Sequence, residues 1–172
     1  MPEKKLRGIA RRLRAIRQWP ERLSRVMPHD VWTSDERYWN WKIPVASSLV
    51  QGRCATNATR RACAQGLIDA TALLLAQKPD DARSIRVLCA ICLPDMFASE
   101  VCIYLKEDYF NAHLSEQINI FGERRVIRDR KLSSEWELSL PLGMSELGVT
   151  VTVIDDDDRP YTYECWYFGE VR

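Results

Sequence analysis

The sequence predicts an α+β fold: an N-terminal basic helix and one long helix packed on an antiparallel sheet of about five strands. Three observations carry that expectation. Apolar residues recur at helical spacing in the first half of the chain, whereas fully apolar or alternating runs dominate the second half. The last two runs flank Asp156-Asp157-Asp158-Arg159-Pro160, the pattern of an antiparallel hairpin. Helices early and strands late define the class. At 172 residues the chain suits a single domain with a sizeable core, and residues 1–28 read as its basic helical arm.

In the arm, Leu6, Ile9, Leu13 and Ile16 recur at spacings of three and four, which predicts a helix over 3–19. Lys5, Arg7, Arg11, Arg12, Arg14 and Arg17 cover its other faces. Pro20 can start a second helical piece, and Pro28 stops it. Residues 1–25 hold nine Lys or Arg against two acids, a net +7, while the remainder holds 16 bases and 22 acids, a net −6. Such polarity suits an anionic partner, and equally an arm docked on its own domain. The ordinary reading is a surface helix with a solvated basic face. The alternative is a nucleic-acid or membrane-surface role, with Arg7, Arg11 and Arg14 as the contacting residues.

Tyr38-Trp39-Asn40-Trp41-Lys42-Ile43-Pro44-Val45 reads as extended chain. Trp39, Trp41 and Ile43 then share a core face, and Tyr38, Asn40 and Lys42 share a polar face that is a candidate binding edge. The long helix is expected over 56–77, capped by Thr56 or Asn57, with Cys63, Leu67, Ala70 and Leu74 in line. Residues 85–93 are apolar on both faces after Arg86, as a central strand requires. Val101 to Leu105 is a second strand, and Asp108-Tyr109-Phe110 opens a short helix ending before Ser115. Residues 123–131 form a charged loop inside a stretch, 115–134, with little pattern. Glu135 to Leu140 alternates as a strand ended by Pro141-Leu142-Gly143, and the hairpin pairs 149–155 with 161–168.

These motifs in this order resemble a bacterial family of uncharacterised single-domain proteins, a domain of unknown function. Arg7 in a basic helix, Tyr38-Trp39-x-Trp41-Lys42-Ile43-Pro44-Val45, Leu67-Ile68-Asp69, Arg86-Val87, Leu93-Pro94 and Asp108-Tyr109-Phe110 carry the resemblance. Glu135-Trp136 with Pro141, Glu146-Leu147-Gly148 and Trp166-Tyr167-Phe168-Gly169-Glu170-Val171 complete it. The resemblance spans nearly the whole chain and implies a bacterial, cytosolic, one-domain protein. It implies no activity.

The residues themselves exclude several chemistries. No run approaches the roughly 20 apolar residues of a membrane span. Charges recur through Arg25, so the N-terminus does not read as a secretory signal, and the expected compartment is the cytoplasm with its six cysteines reduced. Cys89-Ala90-Ile91-Cys92 has redox-motif spacing but lies in an apolar strand, where an offset of three sends the thiols to opposite faces. The only histidines are His29 and His113, and no nucleophile-elbow, zincin or P-loop motif is present. We therefore expect no cofactor and no metal. Asp155 to Asp158 lacks the glycine and distal glutamate of a calcium loop.

Asp69 and Asp108 sit beside expected core, where a buried carboxylate must be paired. Lys42, Arg7 and Arg86 are the available partners; a structural ion pair or cap is the plain reading, and a ligand contact the sharper one. The leading functional expectation is a non-enzymatic protein-binding or regulatory protein, an immunity-type partner of another protein. The alternatives are a nucleic-acid-binding protein using the basic helix, or a small-molecule enzyme with a pocket near Trp39, Trp41 and Asp108.

Overall fold

A computed structural model describes residues 10–11, 13–18, 20–22, 31–42, 56–81, 85–93, 99–119, 125–126, 129–154 and 161–171. In chain order the labelled elements are β1 (Tyr38–Lys42), α1 (Asn57–Leu75), β2 (Arg86–Leu93) and β3 (Glu100–Tyr104). α2 (Glu107–Asn119), β4 (Arg125–Val126), α3 (Leu132–Glu135), β5 (Met144–Ile154) and β6 (Tyr161–Glu170) follow. One six-stranded sheet runs β1-β3-β2-β6-β5-β4. Every pairing is antiparallel. The class is α+β, and two-residue β4 extends the sheet beyond the expected strands.

β2 explains why the sheet is covered on both sides. Arg86 through Cys92 are all buried. Val87, Cys89 and Ile91 join a core that includes Leu67, Ile68 and Leu74 of α1, while Leu88, Ala90 and Cys92 join a second core with Phe110 of α2. The two thiols of the C-x-x-C spacing thus face opposite ways, as period-two geometry demands. α1 starts where Thr56 accepts a hydrogen bond from the Thr59 amide at 3.2 Å. Its Cys63, Leu67, Ala70 and Leu74 stripe is fully buried.

The N-terminal chain is helical at 10–11, 13–17 and 20–22, and Ile16 is buried in the α1-side core. The described part of the basic segment is therefore anchored on the domain through Ile16. In β1, Trp39 and Trp41 pack half-buried against that same core, whereas Tyr38 and Asn40 are exposed on the α2 side. The expected faces are observed; Ile43 lies outside the described residues. β5 and β6 form the expected hairpin with Ile154 opposite Tyr161, and the acidic tip 155–158 lies outside the described residues.

Two expectations are corrected. Glu135 to Leu140 is not a strand: α3 ends at Glu135, the Trp136 amide donates to Leu132 O at 2.9 Å, and Glu137 sits at φ 48°. The alternation still sorted the side chains, since Leu138 is buried and Trp136 and Leu140 pack on the α1-side core. The segment's β-like partner is a side chain. Gln65 of α1 donates to Ser139 O and accepts from Ser139 N, both at 2.8 Å. Second, α2 continues to Asn119 rather than ending before Ser115, because no Gly or Pro interrupts it there.

A tight turn delivers the chain into β5. Met144 N bonds Pro141 O at 3.1 Å and Gly143 has φ +82°, the left-handed value a type II turn needs at its third residue.

Candidate functional site

One face of α1 carries Asn57, Ala58, Arg61, Ala62 and Gln65, at helical spacings of three and four. Ala58 and Ala62 are too short to fill the space between α1 and residues 135–137. Leu13 and Arg17, four apart on the N-terminal helix, close the third side. The result is a groove of about 710 Å³ whose other wall is Glu135, Trp136 and Glu137.

Most charges on the rim are committed to one another. Arg61 Nη2 donates to the Glu137 backbone oxygen at 3.1 Å and also to its carboxylate. This double contact holds Glu137 in the left-handed region, where non-glycine residues are strained. Glu135 accepts from Arg130 Nε and Nη2, both at 2.9 Å, a bidentate pair. Those bonds pull the Glu135 carboxyl below its ordinary value, against a smaller opposing effect of burial. Arg130 also binds Glu164, and its guanidinium lies 5.2 Å from the centre of the Trp166 ring. Its own pKa is raised, chiefly by the Glu135 hydrogen bonds. Arg17 stands apart, since no ion pair joins it to a described residue. Among the described residues the groove therefore offers an indole, small aliphatic positions and the Arg17 guanidinium.

The sequence-predicted residues do not converge here. Tyr38 stacks on Tyr109 at 5.3 Å between ring centres, and on Tyr104 at 6.3 Å, forming a tyrosine ledge on the α2 side. Asn40 Nδ2 donates to Glu100 Oε2 at 2.8 Å. Lys42 is opposite Glu100 in the β1–β3 register, and its side chain lies outside the described residues. Asp108 is exposed in the first turn of α2, where a negative charge suits the helix N-terminus. Asp69 is half-buried on α1 and accepts from Gln65 Nε2 at 2.8 Å. The sheet thus separates Asp69, Trp39 and Trp41 from Asp108. Arg11 and Arg14 are exposed, and Arg7 lies outside the described residues.

Arg86 serves neither aspartate. It meets Glu107 at 3.6 Å and Glu170 at 3.3 Å, lies 4.5 Å over the Phe110 ring, and shares Glu170 with Lys78. This cluster ties the start of β2 to the end of β6. Desolvation pushes the Cys63, Cys89 and Cys102 thiols up to about 12, so none of them is a ready nucleophile. Among the described residues no three His, Cys, Asp or Glu side chains gather as metal ligands, and no helix is long and apolar enough to cross a membrane.

Sequence reasoning missed Arg17, Arg61, Trp136 and Glu137 as neighbours. The i, i+4 alanines Ala58 and Ala62, flanked by Arg61 and Gln65, were the available signal of a helix face held off its neighbour. No curated protein and no solved structure matches the chain. A family described as "Protein of unknown function (DUF3916)" matches residues 17–170, from Arg17 at the groove to Glu170 at the end of β6, and the chain belongs to that family.

Proposed function

We propose that this chain is a non-enzymatic, cytoplasmic bacterial protein that binds a partner polypeptide, as a regulatory or immunity-type protein does. The binding site is the groove between the N-terminal helix, α1 and residues 135–137. The observation that carries this reading is the groove's lining: Trp136 and Arg17 with Leu13, Ala58 and Ala62. Tryptophan and arginine dominate interface energetics because each offers a large contact area with directed polar atoms. The rim pairs Arg61–Glu137 and Glu135–Arg130 leave few polar atoms converging on a small ligand, which favours a larger, partly apolar occupant. A segment with an apolar side chain beside Trp136 and a carboxylate facing Arg17 fits these features.

The test is site-specific photo-crosslinking in the native host from a photoreactive residue at Ala58, with identification by mass spectrometry. One defined protein should be captured, and Arg17→Glu and Ala62→Arg should each abolish capture with the melting temperature unchanged. Capture that survives both substitutions, or no adduct under any growth condition, rejects the groove as a partner site.

A further inference from the structure

Cys92 and Cys165 are direct cross-strand partners in the β2–β6 register, and their Sγ atoms are 2.8 Å apart. The Cys92 amide donates to Ser99 Oγ at 3.1 Å, on the β3 side of β2. A strand residue sends its N–H and C=O to the same side, so relative to β6 this is a non-hydrogen-bonded pair. Such pairs bring their α-carbons to about 4.5 Å. A disulfide spans about 4.4–6.8 Å between α-carbons, so the bond needs no rearrangement of the sheet. The other described thiols are placed differently. Cys63 and Cys89 lie in the α1-side core, and Cys102 faces Leu88 and Asn40 across its two ladders. Among the described thiols Cys165 and Cys92 are also the least enclosed, 7% and 4% exposed against at most 1% for Cys63, Cys89 and Cys102.

We propose that Cys92 and Cys165 form a reversible disulfide that staples β2 to β6, made by exchange with a small organic disulfide. In the first step the Cys165 thiolate attacks one sulfur of the oxidant, forming a mixed disulfide and releasing one thiol. Cys92 then loses its proton and displaces the second small thiol, closing the internal bond. The protein loses two protons and two electrons, and the oxidant is reduced to two thiols. The hydrogen bond with Cys92 and burial both raise the Cys165 pKa, so exchange is slow at neutral pH and accelerates as the medium becomes alkaline.

The experiment treats the folded, full-length protein with excess oxidised glutathione, then traps thiols with an alkylating agent for intact-mass and peptide mapping. The expected product lacks two hydrogens, retains four of its six alkylatable thiols and contains a Cys92–Cys165 link that dithiothreitol reverses. Cys92→Ser and Cys165→Ser should each prevent it, and Cys89→Ser should not. Because the wild-type map assigns the link by itself, a variant that fails to fold does not remove the test. Six thiols retained, a stable glutathione adduct without closure, or a link to any other cysteine overturns the proposal.

Discussion

The strained residue at the groove rim offers a prediction whose sign is unusual. Replace Glu137 by Ala and, separately, by Gly. Both changes delete the carboxylate that Arg61 holds, so the ion pair cancels from the comparison. Both keep the backbone oxygen that accepts from Arg61. What remains is the backbone. In ordinary helix or strand positions Gly is less stable than Ala by about 0.5–1 kcal/mol, because it loses more conformational freedom on folding. At φ 48° a β-carbon crowds the following carbonyl, which costs about 1–2 kcal/mol and outweighs that entropy. Glu137→Gly should therefore be more stable than Glu137→Ala by about 1 kcal/mol.

For a domain of this size that difference is about 2–4 °C in Tm, readable by urea titration or calorimetry. The step from wild type to Ala should be small, about 0.5 kcal/mol, since side-chain exposures of 43% for Arg61 and 77% for Glu137 leave the pair well screened. If Ala equals or exceeds Gly, the left-handed conformation is not what position 137 adopts, and the geometry of the groove rim must be redrawn.

Three further outcomes follow from the packing and the charges. A β-carbon at Gly169 would meet Leu147 Cδ1 at 2.7 Å and the Val87 backbone oxygen at 3.2 Å, so Gly169→Ala should destabilise by about 1–3 kcal/mol. A double-mutant cycle with Leu147→Ala should recover part of that loss, and strict additivity would show that Leu147 is not the obstacle. Arg86 is 8% exposed with Glu170 and Glu107 around it, and Arg86→Ala should cost about 1–3 kcal/mol by removing the guanidinium from between the two carboxylates, while Lys78 still pairs with Glu170. Arg86→Ala with Glu170→Gln should lose less in denaturant titrations than the two single losses added together. Finally, Glu135 has a depressed folded-state pKa, so its contribution is present above the ordinary value of 4.5 and fades as pH falls through the folded value. Wild-type stability should drop more steeply than that of Glu135→Gln on acidification below about pH 4.5, by a modest amount given the solvent screening of the pair. Parallel curves would show that the Arg130 contact does not bias the carboxyl.

The residue pattern alone determined the class of the fold, the long helix and its buried stripe, the two-sided β2, the terminal hairpin and the face assignment within β1. These are local consequences of period and polarity: an apolar run such as Val87 to Cys92 has nowhere to go but between two layers. It also placed the C-x-x-C thiols on opposite faces, because strand alternation is geometric and needs no tertiary information.

Tertiary structure decided the rest. The alternation of Glu135 to Leu140 is compatible with a strand, yet among the described residues no strand pairs with it; Gln65 from α1 takes the hydrogen bonds of Ser139, and the chain turns at Glu137. The groove arises where three segments far apart in sequence meet, and only their packing reveals that Ala58 and Ala62 leave room. Likewise Cys92 becomes neighbour to Cys165 through strand register, a separation of 73 residues that no local pattern could announce. Period and polarity specify what each segment must bury. Only the packed chain specifies against which partner.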